Sequence, residues 1–150
     1  MMLILVLLTL LLLGSSQHKG ITMANSTTKA LATPVIDPKL ESQIITKVAE
    51  QYKLTPEQQS LLFAIRKAEN GSQGKEFGVL VPEAMRFAAD PDPYKSLTTQ
   101  AMWAAGTIKK RYKGDLKEFA NRWAPVGADN DPNNLNANWV KNVSYFMENQ

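Results

Sequence analysis

Leu61-Leu62-Phe63-Ala64-Ile65-Arg66-Lys67-Ala68-Glu69 is an apolar helical run that closes on a carboxylate, and Asn70-Gly71 and the turn Gly74-Lys75-Glu76-Phe77-Gly78 follow at once. At 3.6 residues per turn, Leu62, Ile65 and Glu69 share one stripe, so the Glu69 side chain is expected to look into apolar surroundings. Burial disfavours the charged form of a carboxyl group. So do the unsatisfied carbonyls of a helix's last turn, which Arg66 and Lys67 offset only in part. Both effects push the pKa of Glu69 upward. A carboxylic acid kept protonated near neutral pH can protonate a glycosidic oxygen.

The rest of the composition narrows the chemistry to groups of this kind. There is no cysteine, so no disulfide, thiolate nucleophile or cysteine metal site is possible. The single histidine, His18, lies near the N-terminus, outside the expected domain. Ser-His-Asp and Cys-His catalysis are thereby removed, which leaves carboxylates, amides and hydroxyls. Neither a cofactor nor a metal is expected. With 150 residues, 44% of them hydrophobic, the chain supports one packed core. The net charge of +3 and pI near 9.1 suit an anionic polymer. No run of five or six basic residues marks a nucleic-acid arm, and no nucleic-acid partner is expected.

Working outward, residues 1–24 read as a hydrophobic leader, 25–37 as a Ser/Thr/Ala/Pro-rich tether, and 38–150 as the domain. Leu3 to Leu13 are aliphatic apart from Thr9, the length of a signal-peptide core and short for a membrane span. No lysine or arginine precedes this stretch, and Gly14 to Lys19 holds no clean small-x-small cleavage site. Three readings stay open: a cleaved export signal, an uncleaved anchor through residues 3–13, and a start placed too early. In the last case Lys19-Gly20 can be encoded by AAGG, a ribosome-site-like string ahead of Met23.

Within the domain, Leu40, Ile44, Ile45, Val48 and Tyr52 recur at helical spacing and predict a first helix ending near Lys53. Thr55-Pro56-Glu57-Gln58 has the form of a capping box and opens the second helix, which runs to Glu69. Gly71 is the expected left-handed terminator. Residues 71–80 read as a tight loop or small β-hairpin beside that helix end, and Pro82 to Ala88 as a short helix. After the break at Asp90-Pro91-Asp92-Pro93, the spacing from Tyr94 to Ile108 predicts a long helix ending near Tyr112. Its alanines and glycine permit close packing. Gly114-Asp115 ends it and caps the next helix, Leu116 to Trp123, and a last helix opens near Asn136, with Trp139, Val140 and Val143 on its inward face. The fold class is mostly α.

This order of elements resembles the lysozyme-like superfamily, particularly soluble lytic transglycosylases, goose-type lysozymes and phage muramidases, over roughly residues 55 to 147. The similarity rests on the helix ending in Glu69, the glycine turn after it, and the strings Asp90-Pro91, Gln100-Ala101, Ala104-Ala105-Gly106 and Arg111-Tyr112-Lys113-Gly114-Asp115-Leu116. It implies a lysozyme-like single domain in which Glu69 is the catalytic acid, and Phe77, Gly78, Trp123 and Asn136 bind substrate. The substrate implied is the glycan strand of peptidoglycan, cut at the MurNAc-GlcNAc β-1,4 bond by an exported or virion-associated monomer. Two departures stand out. Arg122-Trp123-Ala124-Pro125 occupies the place of the family's tyrosine-asparagine pair, and Val79-Leu80-Val81 replaces the usual Leu-Met-Gln after Phe77-Gly78.

Several of these residues carry a plainer alternative. Phe77 and Trp123 suit core packing as well as sugar stacking. Asn130, Asn133, Asn134 and Asn136 suit turns, and Asn136 a helix cap. Glu76 and Glu83 are candidates for a second carboxylate, which a retaining hydrolase holds about 5 Å from the first. Both are expected to be solvated surface acids, which leaves a single-acid scheme. Other readings of the whole are a catalytically silent wall-binding or virion structural module, and a small helical nucleic-acid binder suggested by charge alone.

Overall fold

The computed structural model describes residues 35–88 and 92–150. The leader, most of the tether and the Asp90-Pro91 string lie outside the described residues. Six α-helices and one 3-10 helix form the described part: α1 Pro38–Gln51, α2 Pro56–Glu69, α3 Pro82–Met85, α4 Pro93–Arg111, α5 Leu116–Trp123 and α6 Trp139–Glu148, with the 3-10 helix Leu135–Asn138 leading into α6. The mostly-α expectation holds, and no strand occurs among the described residues. Residues 71–80 form turns.

Local chemistry fixes most of the starts. Asp37 caps α1 by accepting from the Leu40 N–H, and Pro38 stands in the first turn, where no amide hydrogen is needed. In α2 both halves of the capping box form: Thr55 Oγ1 accepts from Gln58 N–H, and Gln58 Oε1 accepts from Thr55 N–H. Asp92 caps α4 and Asp115 caps α5 in the same manner. The end of α2 differs from expectation. The left-handed residue is Asn70 (φ 45°), a role asparagine tolerates through its short polar side chain. Gly71 is needed for space: a Cβ there would lie 2.0 Å from the Lys75 carbonyl oxygen.

These elements belong to one compact unit, Thr33–Gln150. α2 packs most extensively against α6, and α1 lies along α4. The core joins Ile45 and Val48 of α1, Leu61, Leu62 and Ile65 of α2, Leu97, Ala101, Ala104 and Ile108 of α4, Phe119 of α5, and Trp139 and Val143 of α6. The small residues of α4 let neighbours come close, and Tyr52 reaches to 3.2 Å from the place a Cβ on Gly106 would take. The C-terminus docks on α2, where Gln150 Nε2 donates to the Ser60 carbonyl at 2.7 Å and Ser60 Oγ to Gln150 Oε1 at 3.0 Å. Among the described residues no helix is long and apolar enough to cross a membrane. Residues 3–13 lie outside them.

Candidate functional site

Leu62 and Ile65 are wholly buried, as the stripe requires, and one turn later the same stripe delivers the Glu69 carboxyl to a partly buried position. Two groups meet it there. Trp139 Nε1 donates to Glu69 Oε1 at 2.8 Å. On the other oxygen, Gly78 closes in so tightly that a Cβ on it would lie 2.6 Å from Oε2. Gly78 adopts φ +68°, a conformation that L side chains rarely take, so conformation and contact both select glycine there.

Burial raises the pKa of Glu69 above its ordinary value, and the indole N–H groups of Trp139 and, more weakly, Trp123 pull it back. Burial prevails. The cations of the last turn take no part in this balance. Arg66 turns to α1 and pairs with Glu41 at 2.9 Å, and Lys67 is exposed. The result is a carboxyl group that holds its proton more tightly than an exposed glutamate does, kept in a fixed direction by an N–H donor.

Trp139 is itself held by an aromatic stack. Tyr112 meets Phe119 edge to face at 5.8 Å between centroids, Phe119 stacks on Trp123 at 5.4 Å, and Trp139 lies 6.3 Å from Phe119 and 6.5 Å from Trp123. At the far end of the stack, Tyr112 Oη donates to Glu57 Oε1 at 2.6 Å. Burial and the Glu57 carboxylate push that phenol up to about 12, so it stays a donor at neutral pH. α2 is thus tied at its first turn to the end of α4 and at its last to α6.

The turn that carries Gly78 is organised from beneath by Gln100 of α4, which is wholly buried. Gln100 Oε1 accepts from Phe77 N–H and Val79 N–H, both at 3.2 Å, while Nε2 faces the carbonyls of Gly74 (2.5 Å), Val79 (2.8 Å) and Ala84 (3.1 Å). One side chain supplies the hydrogen-bond partners that a sheet would otherwise give this loop. Glu76 belongs to the same support. It is wholly buried, contrary to the expectation of a solvated acid, and its Oε1 accepts from Ser96 Oγ at 2.5 Å and from Gly74 N–H at 3.3 Å. Ser96 in turn accepts from the Gly74 N–H at 2.6 Å.

The residues singled out from sequence therefore divide. Glu69, Gly78 and Trp123 come together. Phe77 does not join them as a stacking surface: its ring is wholly buried in the core, because the turn directs it inward while its amide bonds Gln100. Asn136 serves the loop before α6, where its Nδ2 donates to the Pro125 carbonyl at 3.0 Å and its N–H to Asp131 Oδ2 at 2.8 Å. Glu83 is exposed on α3. The partner that sequence reasoning missed is Trp139, which was placed on the inward face of the last helix for packing alone. A buried indole seeks an acceptor for its N–H, and that rule was the available pointer.

No family model matches the chain, and no curated protein or solved structure matches it significantly. Among the described residues no cluster of histidine, aspartate and glutamate could hold a metal ion.

Proposed function

We propose that this chain is a peptidoglycan-cleaving glycosidase of the lytic transglycosylase type, built on a lysozyme-like domain, with Glu69 as its only acid. The observation that carries this reading is the Glu69 carboxyl itself, its pKa raised by burial and its Oε1 held by Trp139, on a side chain that is only partly buried. A raised pKa and a fixed direction are what a general acid needs before it meets a glycosidic oxygen.

In the proposed reaction Glu69 transfers its proton to the oxygen bridging N-acetylmuramic acid and N-acetylglucosamine, and the C1–O bond breaks. The acetamido carbonyl of the muramic acid residue bonds to C1 and carries the positive charge. Glu69, now a carboxylate, takes the proton of the 6-hydroxyl as that oxygen attacks C1 and displaces the acetamido group. The products are a free 4-hydroxyl and a 1,6-anhydro sugar, and Glu69 is protonated again. The Trp139 N–H supports the carboxylate between the two steps. The burial of Glu76 beneath Ser96 and Gly74 supports a scheme without a second carboxylate. Attack by water in place of the 6-hydroxyl would give muramidase chemistry.

Purified protein run on a peptidoglycan zymogram should produce a clearing band, and Glu69→Gln, which keeps the shape and loses the acid, should abolish it. Mass spectrometry of the released muropeptides should find anhydro ends, one water lighter than reducing ends. A wild type that binds sacculi and leaves them intact would instead identify a silent wall-binding module.

A further inference from the structure

A groove of about 580 Å³ lies along α4 on the face turned away from the core, bounded by Tyr52 from the end of α1 and by Glu83 and Arg86 from α3. None of its lining residues belongs to the Glu69 site. On its α4 side stand Trp103, 42% exposed although it is a large aromatic, together with Thr99, Lys110 and Arg111. Arg86, Lys110 and Arg111 are exposed and make no ion pair among the described residues, so the groove holds three cations against the single acid Glu83.

An exposed indole beside hydroxyl and carboxylate groups suits a sugar ring, whose axial hydrogens lie on the aromatic face and whose hydroxyls donate to oxygen acceptors. The surplus of cations adds a demand for negative charge. A nucleic acid would meet the cations and the indole as well, so its binding is one of the outcomes the test must separate. We propose that this groove is a second, non-catalytic site for the peptidoglycan strand, with a sugar on Trp103 and the carboxylates of the strand against Arg86, Lys110 and Arg111. It rests on the wall-lytic reading for its choice of polymer, and it would hold the protein on the wall while Glu69 acts elsewhere on the same surface.

The test uses the full chain carrying Glu69→Gln, so that binding is read without cutting, in sedimentation with purified sacculi. Adding Trp103→Ala, or Lys110→Ala with Arg111→Ala, should weaken binding about tenfold each, the loss expected for one stacking or charge contact. The charge variant should also flatten the salt dependence. All these side chains are exposed, and unchanged circular dichroism will verify the fold. Sacculi stripped of phosphate-bearing polymers should keep the groove-dependent binding, and a loss of it on that treatment would overturn the choice of carboxylates. Binding that is indifferent to both groove variants would overturn the proposal. So would variants that lose affinity for a DNA oligonucleotide and keep it for sacculi. Groove-dependent binding without clearing by wild type would defeat the lytic reading alone, and normal clearing with groove-independent binding would defeat the groove alone.

Discussion

Trp139 and Glu69 stand 70 residues apart in the chain, yet their side chains meet at 2.8 Å, indole N–H to carboxyl oxygen, where α6 crosses the end of α2. The contact fixes the direction of the carboxyl group and tempers the rise in pKa that burial causes. It joins the last helix to the chemistry proposed for the second.

Replacing that indole while keeping an aromatic ring separates the two effects. Trp139→Phe should lower turnover about 10- to 100-fold, the scale of losses from a slightly misplaced catalytic group. Because the N–H bond lowers the Glu69 pKa, its loss should raise that value further. The alkaline limb of the pH-rate profile should therefore move to higher pH, which a purely structural role for Trp139 would not produce.

Glu69 should also leave a mark on stability. Its folded pKa is raised above the ordinary value of 4.5, so the folded state binds the proton more tightly than the unfolded chain. The associated stabilisation is complete below that ordinary value and is lost as pH rises through the folded one. Thermal melts of wild type across this window should fall relative to Glu69→Gln, and the two should run parallel on either side of it.

Gly78→Ala tests the opposite wall of the site. Its positive φ costs an L-residue about 1–2 kcal/mol, which urea denaturation will read. The new methyl group would also displace the Glu69 carboxyl, since it would start 2.6 Å from Oε2. Activity should fall about 100-fold or more, well beyond what the stability loss explains at a temperature where the variant is folded.

Gln100→Leu removes the partners of the turn in one step. Two amide hydrogens, Phe77 and Val79, and the carbonyls of Gly74, Val79 and Ala84 would lose their contact with it. Each group left buried and unpaired costs about 1–3 kcal/mol, so a total loss of about 3 kcal/mol or more is expected on urea denaturation. Hydrogen exchange should show residues 74–79 deprotected before the helices.

Much of this was legible along the chain because it is local. The Thr55 capping box, the prolines at helix starts, the Asp115 cap and the apolar stripe ending at Glu69 each depend on residues within a turn or two of one another, where spacing alone decides who meets whom. Gly78 entered through the resemblance, and the structure sets it against the Glu69 carboxyl. What reads less well is anything whose answer depends on the far side of a contact. Phe77 and Glu76 alternate in a turn that gives no hint of which way it faces, and only α4 beneath it decides that both are buried.

The sequence by itself determined most of the helices, the capping box of α2 and the carboxylate at its end, since these follow from periodicity and short-range hydrogen bonding. Only the tertiary structure decided that Trp139 holds that carboxylate, that Gln100 carries the turn and that Arg66 belongs to Glu41. Those pairings join groups 16 to 70 residues apart, and their geometry is set by how whole helices pack.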